Sequence, residues 1–384
     1  MSGGVLRHWL LLLLVLSRWT LMAAKVTAVI VFGDSSVDAG NNNAILTIAR
    51  SNFPPYGRDF AGGKATGRFC NGRLATDFLS EAFGIKPTVP AYLDPEYDIK
   101  DFATGVTFAS AATGFDNVTA GVLVSTIHPP MDVQFLRDPL PSPPDERKTS
   151  SSTVLMQEVI PLWRQLEYFE EFRERLRSFQ GAEQAEVTLT EALYVISLGT
   201  NDFIENYYAI PTRSSHFTVE QYQDFVAGIA RDFVSEIYAM GARKIDLSGL
   251  SPIGCMPISR TANVAGAGGC REEYNRAAAG FNSRLQSIAA HLNSALPGAR
   301  IAFAGVYDLL LDIISRPESY GFENSRLGCC ATGLYEMGYV CKPDQPLTCQ
   351  DATKYVFWDA VHPTESTYRI VASYLMNTTL DQFL

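Results

Sequence analysis

Residues 26–43, VTAVIVFGDSSVDAGNNN, join an apolar run to a turn made almost entirely of Gly, Asp, Ser and Asn. The apolar part, Val26–Phe32, is rich in β-branched residues and has the length of one buried strand. Polar turns commonly follow strands, because these residues tolerate unusual backbone angles and bond their own backbone. In a parallel sheet, however, ligands bind beyond the carboxyl ends of strands. The stretch therefore predicts either a plain turn or one edge of a functional site.

Four further β-rich runs recur along the chain, with helical segments between most of them: Gly105–Ala109, Ala192–Leu198, Lys244–Leu247 and Arg300–Ala304. A capping box at Thr218–Gln221 predicts the start of one helix, and apolar residues at helical spacing follow it. A second helix is predicted over Val159–Phe179. Strands that alternate with helices predict an α/β fold with a central parallel sheet covered on both faces. Two polar turns then share its carboxyl edge, at residues 33–43 and 199–202.

The charge and the first residues of the chain predict an exported protein. The 384 residues carry a net charge of −10 with no Lys/Arg block, so nucleic acid is not expected as a partner. Arg7 and His8 precede the apolar block Leu10–Leu16, and Ala23–Ala24 offer small residues for cleavage. This pattern predicts a secretory signal peptide over residues 1–24, too short to be a stable membrane anchor.

Six of the seven cysteines lie in the second half of the chain. Cys255 and Cys270 bracket one Gly/Ala-rich loop, and four more crowd residues 329–349. In an exported protein these six cysteines are predicted to form disulfides that cross-link two loops. Zinc is the weaker alternative, because no pair has CxxC spacing and histidine is absent nearby. Export also makes two Asn-x-Thr sequons candidates for N-glycosylation, at Asn117 and Asn377.

Residues 124–157 interrupt the alternation of strands and helices. They contain six prolines followed by a Ser/Thr cluster at residues 149–153. This composition leaves little scope for a packed element. We predict an exposed, disordered insertion within one domain that spans residues 25–384.

One histidine has a neighbour typical of catalysis. His362 follows Asp359 by three residues in YVFWDAVHPTE (355–365), a spacing that places both side chains on one face of a turn. The carboxylate can accept the imidazole Nδ1–H and leave Nε2 free as a base. The other four histidines are assigned no catalytic role. They lie in the signal peptide (His8), the insertion (His128), a polar loop (His216) and a helical stretch (His291).

Such a base needs a nucleophile and donors for an oxyanion. The G-x-S-x-G elbow of α/β-hydrolases and the P-loop pattern are both absent from the sequence, which leaves Ser35 or Ser36 as the nucleophile. A serine hydroxyl becomes nucleophilic when a base takes its proton. Asn201 offers an amide at the same sheet edge, and the turn at Thr113–Gly114 offers backbone N–H groups.

Four blocks in order extend this interpretation: FGDSSVDAGNNN (32–43), GVTFASAATG (105–114), SLGTNDF (197–203) and FWDAVHPT (357–364). Together with the stretches at 52–60, 66–73 and 251–255, they resemble the GDSL esterase/lipase family of plants, within the SGNH hydrolase superfamily. The resemblance covers nearly the whole chain from Val26. It implies a three-layer α/β/α sandwich similar to flavodoxin, and a secreted serine hydrolase that cleaves small-molecule or lipid esters in the cell wall or apoplast without a metal or cofactor.

The resemblance also assigns roles. It implies a catalytic triad of Ser35, Asp359 and His362. The oxyanion hole would combine the N–H of Ser35, the side-chain amide of Asn201 and the N–H of a glycine in the second block, which we expect to be Gly114.

Other residues of the blocks are expected to have different roles. Gly105 is the second choice for the oxyanion glycine. Ser36 is expected to be non-catalytic, and Asp38 and Asn41–Asn43 are expected to hold their loop. Cys70 stands where relatives usually have serine, and we expect a free thiol or a structural substitution.

The insertion is the larger departure from the family pattern. Relatives usually run almost directly from AGVL into VIPLW, where residues 124–157 intervene here. One hypothesis is a retained intron or alternative exon, which sequencing of the transcript tests. Two other functions stay open: an acyltransferase with the same triad, and a non-catalytic binding protein. The oligomeric state is also left open.

Overall fold

The computed structural model describes residues 26–122, 159–211, 213–342 and 345–384. The predicted signal peptide (1–24) and the predicted insertion (124–157) lie outside these ranges. Within the ranges, no helix has both the length and the apolar character needed to cross a bilayer.

Five parallel strands form the central sheet in the order β2–β1–β3–β4–β5. They are β1 (Val29–Gly33), β2 (Gly105–Thr107), β3 (Leu193–Ser197), β4 (Lys244–Ser248) and β5 (Arg300–Ala304). Their apolar runs are buried on both faces, as parallel sheets require. All five predicted strands are confirmed, close to their predicted bounds. A small second pair, β6 (Asn324–Gly328) and β7 (Tyr355–Phe357), lies near the end of the chain.

Helices cover both faces of the sheet. They are α1 (Ala75–Ala82), α2 (Ile99–Phe102), α3 (Leu162–Gln180), α4 (Ala182–Glu191), α5 (Val219–Ala239), α6 (Pro257–Thr261), α7 (Glu272–Ala295), α8 (Tyr307–Ser315) and α9 (Glu365–Thr378). On one face, the Phe32 ring contacts Phe169 of α3 and Phe233 of α5, at centroid distances of 5.5 and 5.1 Å. On the other face, Val195 of β3 shares a cavity wall with Leu375 of α9. The predicted three-layer α/β/α fold is confirmed.

The capping box predicted for α5 is present. The Thr218 hydroxyl accepts the N–H of Gln221, and the Gln221 side chain accepts the N–H of Thr218. These bonds satisfy donors that the first turn of a helix leaves free. The preceding long helix, α3, begins after Pro161, slightly later than predicted, because a proline is accommodated at a helix start but not within one.

The cysteines form disulfides as predicted. Three bonds join Cys255–Cys270, Cys329–Cys349 and Cys330–Cys341. Cys70 is a free, buried thiol. Burial raises the pKa of Cys70 well above its usual value, so this thiol is a packing residue rather than a nucleophile.

Candidate active site

The polar loop after β1 is held by its own side chains. One carboxylate oxygen of Asp38 accepts the N–H groups of Gly40 and Asn41, at 2.7 and 2.8 Å. The amide of Asn41 donates to the carbonyls of Thr107 and Ala109, at 2.9 and 2.8 Å. The two asparagines that follow also donate to carbonyls of neighbouring loops. These side chains therefore lock the loop after β1 onto the loop after β2.

The turn at the end of β1 sends its two serines in different directions. The N–H of Asp34 donates to the carbonyl of Ser197 in β3, and the Asp34 carboxylate accepts the N–H of Ser36 at 2.9 Å. The hydroxyl of Ser36 lies 3.0 Å from the hydroxyl of Ser197. The hydroxyl of Ser35 instead contacts the imidazole of His362, a residue near the carboxyl terminus of the chain.

Ser35, His362 and Asp359 lie in one hydrogen-bonded line. The Oγ of Ser35 is 2.8 Å from the Nε2 of His362, and the Nδ1 of His362 is 2.8 Å from a carboxylate oxygen of Asp359. Asp359 is fully buried, whereas Ser35 retains 9% of its surface. A carboxylate only accepts, so the imidazole proton resides on Nδ1 and Nε2 faces the hydroxyl as a base.

Hydrogen bonds from groups other than the His362 imidazole also hold the Asp359 carboxylate in place. Its Oδ1 accepts the backbone N–H groups of Val361 and His362, at 2.9 and 2.7 Å. Its Oδ2 accepts the hydroxyl of Tyr56 at 2.7 Å, and that hydroxyl in turn accepts the N–H of Gly338. Burial, followed by the charge of Asp359, raises the pKa of Tyr56 well above its usual value. Tyr56 therefore stays protonated and donates.

Sequence reasoning did not identify Tyr56. It lies in the stretch NFPPYGRDF, and 303 positions separate it from Asp359. No local pattern links an aromatic hydroxyl to a carboxylate at that separation. Only the fold places them together.

Besides Ser35, the sequence predicts Asn201 and Gly114 for the oxyanion hole, with Gly105 as second choice for the glycine, and these residues lie in different places. The side-chain amide of Asn201 donates to the carbonyl of Thr113 at 2.8 Å. The carbonyl and N–H of one trans peptide point in opposite directions, so the N–H of Gly114 points away from Asn201. Gly105 pairs with Val29 at the start of β1 and therefore lies at the opposite edge of the sheet from Ser35.

Gly114 has a packing reason to be glycine. A Cβ at this position would collide with the carboxylate of Asp202. That carboxylate accepts the N–H groups of Phe115 and Asp116, at 2.8 and 3.0 Å, and the hydroxyl of Thr119 at 2.7 Å. Burial raises the pKa of Asp202 to about 7. Asp202 thus fixes the loop after β2, a role that sequence reasoning did not assign.

Ala112 has an unusual backbone. Its φ of 67° lies in the left-handed region, where a non-glycine residue is strained and where functional sites are often found. Among the described residues, the N–H groups of Ser35, Ala112 and Gly114 donate no backbone hydrogen bond. The carbonyl of the preceding residue, Ala111, accepts the amide of Asn42 at 3.2 Å, which fixes the orientation of this peptide.

A further carboxyl group lies one turn beyond Asn201. Glu205 belongs to the π-helix Asp202–Ala209, and its buried Oε2 has no hydrogen-bond partner in the part of the chain that the structure describes. Burial, and then the charges of Asp34 and Asp202, raise the pKa of Glu205 to about 7. The fold therefore binds a proton at Glu205 more tightly than the unfolded chain does.

This difference predicts a pH-dependent stability. Because the pKa of Glu205 is higher in the folded state than its ordinary value of 4.5, the free energy of unfolding should fall as the pH rises from about 4.5 to about 7. Glu205→Gln cannot ionise, so its free energy of unfolding should decline less over that interval than that of the wild type. Guanidinium unfolding at several pH values measures both slopes. Equal slopes would contradict the assignment.

A cavity of ≈140 Å³ adjoins Ser35 and His362. It extends from these two residues into the layer between the sheet and the helices α8 and α9, and most of its wall is aliphatic. An apolar chamber next to a serine and a histidine base suits a substrate with an apolar acyl group.

The comparisons with known proteins agree on a family. The family model for GDSL-like lipase/acylhydrolases matches residues 29–375. A GDSL esterase/lipase of Arabidopsis thaliana is 51% identical over 98% of this chain and 97% of its own length. A second from the same plant is 51% identical over 92% of each chain, and the GDSL esterase/lipase APG, also from Arabidopsis, is 38% identical over 92% and 91%. The chain belongs to the GDSL esterase/lipase family and is a carboxylic ester hydrolase.

Proposed function

We propose that this hydrolase cleaves acyl esters through a covalent acyl-enzyme on Ser35. The observation that carries the proposal is the continuous line of contacts from the Ser35 hydroxyl through His362 to Asp359. Nε2 of His362 takes the hydroxyl proton while Oγ attacks the ester carbonyl carbon. Asp359 holds the Nδ1 proton and stabilises the imidazolium that forms. His362 then protonates the departing alcohol oxygen.

In the second half of the reaction, water takes the place of Ser35 as the nucleophile and attacks the acyl-enzyme. His362 removes a proton from water, the resulting hydroxide attacks the acyl carbon, and the imidazolium returns its proton to Ser35 as the acid is released. Every step uses the same three side chains. The reaction as proposed needs no metal or cofactor.

The oxyanion formed in both halves needs preorganised donors. We assign the N–H of Ser35 and the side-chain amide of Asn201, whose second hydrogen is not used by Thr113. For the remaining donor, the opposed orientation of the Gly114 N–H argues against that residue. The left-handed backbone of Ala112, together with the peptide orientation that Asn42 fixes, supports Ala112 in its place.

Asn201→Ala tests the oxyanion assignment. We expect kcat on a p-nitrophenyl ester to fall about 10²–10³-fold, since removing one oxyanion donor typically costs that much. KM should change far less, because the negative charge develops only in the transition state. A kcat close to the wild-type value in a folded variant would remove Asn201 from the oxyanion hole.

Secretion and glycosylation form part of the same proposal. Three disulfides support an oxidising compartment. Asn117 and Asn377 are both exposed, which supports the two sequons as modification sites. Digestion with an N-glycosidase, followed by mass analysis of protein secreted from plant cells, should show a loss of mass. An unchanged mass would contradict glycosylation.

Covalent labelling tests the function directly. A fluorophosphonate should react with the folded protein, and peptide mass analysis should find the adduct on Ser35, because such probes require a base-activated serine. The neighbouring Ser36, bonded to Ser197, is the internal control and should stay unlabelled. Product analysis with and without acceptor alcohols separates hydrolysis from acyl transfer. A protein that takes no label would instead be a non-catalytic binder.

A further inference from the structure

We propose that the cavity beside Ser35 binds the acyl chain, and that Asp246 in its wall selects chains with a hydroxyl group at the far end. This inference deepens the proposed function, on which it rests, because it names the substrate class of the same site. It depends on the position of Asp246, on its unpaired oxygen and on the apolar wall around it.

The cavity connects Asp246 to the reacting serine. Ser35 and His362 line one part of the cavity, and Asp246 of β4 lines another. Between them the wall is formed mainly by aliphatic side chains of the sheet and of the helices α8 and α9: Val195, Leu310, Ile314, Val371 and Leu375. An acyl group attached to Ser35 thus has an apolar path toward Asp246.

The strand register gives the depth of Asp246. Asp246 pairs with Val195 of β3, which in turn pairs with Val31 of β1. Val31 lies two residues before Gly33, the last residue of β1, so Asp246 lies roughly 7 Å below the strand end. An acetyl group on Ser35 is too short to reach that level. Because β4 is also two strands from β1, roughly 10 Å across the sheet, a chain of about eight carbons is needed to reach it.

The size of the cavity also favours a medium-length chain. A cavity of about 150 Å³ with an aliphatic wall holds a benzene ring in another protein. The cavity here has a similar volume, ≈140 Å³. It therefore has room for about six carbon atoms beyond the ester group held at Ser35, which corresponds to an acyl chain of medium length.

Asp246 has an unused hydrogen-bonding oxygen. The residue is fully buried, and within the described ranges its Oδ2 has no hydrogen-bond partner. Its Oδ1 has only a long contact, 3.5 Å, with the hydroxyl of Ser248. Burial raises the pKa of Asp246 to about 7. A buried polar atom without a partner is costly, so a ligand group that supplies a partner gains affinity.

A hydroxyl group fits this position better than a charged group. The aliphatic wall makes the transfer of an ammonium or carboxylate from water expensive. A second carboxylate would also repel an ionised Asp246. A neutral hydroxyl can donate to the ionised Asp246 or accept from its protonated form. The site therefore discriminates ω-hydroxyacyl chains from plain acyl chains of the same length.

The kinetic test compares two esters in each protein. We expect the wild type to hydrolyse p-nitrophenyl ω-hydroxyoctanoate with a kcat/KM about 10–100-fold higher than p-nitrophenyl octanoate, because the plain chain leaves the buried oxygen of Asp246 without a hydrogen-bond partner. Asp246→Val should bring that ratio to one or below. Asp246→Asn, which keeps a hydrogen-bonding side chain, should retain a ratio well above one. Because both rates come from one sample, the ratio does not depend on the folded fraction.

A matched control and a binding measurement complete the test. Asp232→Val removes a mostly exposed aspartate from α5 and should keep the wild-type ratio. Calorimetry on Ser35→Ala should show tighter binding of ω-hydroxyoctanoate than of octanoate, without any turnover. A wild-type ratio near one, or a ratio that Asp246→Val leaves unchanged, overturns the proposal. Discrimination in binding without ester turnover by the wild type would support the subsite and contradict the triad mechanism.

Discussion

Ser35→Ala should lower kcat for p-nitrophenyl esters by about 10⁶-fold, the loss seen when a hydrolase nucleophile of this type is removed. The structure gives the reason. The Ser35 hydroxyl is the group that lies 2.8 Å from the imidazole base, so its removal leaves His362 without a nucleophile to activate. Residual turnover, about 10³–10⁴-fold above that in water, should persist from the oxyanion donors and binding. Stopped-flow assays of the purified wild type and long-time assays of purified Ser35→Ala measure the two rates.

The neighbouring serine provides the control. Ser36→Ala removes a hydroxyl that bonds Ser197 and the Asp34 carboxylate rather than the imidazole of His362, so kcat should fall far less than in Ser35→Ala. Comparable losses in both variants would indicate a disturbed turn rather than a missing nucleophile. Wild-type turnover by Ser35→Ala would show that another residue attacks the ester.

The sequence predicts features that depend on local patterns. The strand of Val29–Gly33 is recognisable because its apolar residues are continuous, and the pairing of Asp359 with His362 follows from a three-residue spacing. The membership of six cysteines in disulfides is predictable from an exported, Cys-rich second half. Their connectivity is not, because the adjacent Cys329 and Cys330 have different partners.

Other features depend on distant parts of the chain or on the direction of one peptide group. Gly114 matches the position of the oxyanion glycine in the family pattern. The contact with Asp202 is nevertheless sufficient to require glycine there, and the N–H of Gly114 points away from Asn201. Asp246 looks like an ordinary polar residue in a strand. Only the packing of α8 and α9 reveals that it faces a cavity shared with Ser35. Such properties follow from tertiary contacts, which single-sequence patterns do not encode.

Asp359→Asn should lower kcat by about 10⁴-fold while leaving the fold intact, as expected when the imidazole is held in the wrong tautomer. The surroundings of Asp359 dictate this outcome. Two backbone N–H groups, from Val361 and His362, occupy Oδ1 and require an acceptor there. The amide NH₂ of asparagine must therefore replace Oδ2, where it faces the Nδ1 of His362. That nitrogen becomes the acceptor, and the ring proton moves to Nε2.

With its proton on Nε2, His362 can no longer accept the proton of Ser35. Tyr56→Phe is the discriminating comparison, because it removes a donor to Oδ2 but leaves the carboxylate and the tautomer. We expect Tyr56→Phe to lose only about tenfold in kcat, in line with the loss of one charged hydrogen bond. Proton NMR should detect the hydrogen-bonded Nδ1 proton of His362 in the wild type and in Tyr56→Phe, but not in Asp359→Asn. An Nδ1 proton that survives in Asp359→Asn would refute the tautomer argument, whatever the rate, because the loss would then come from missing charge alone.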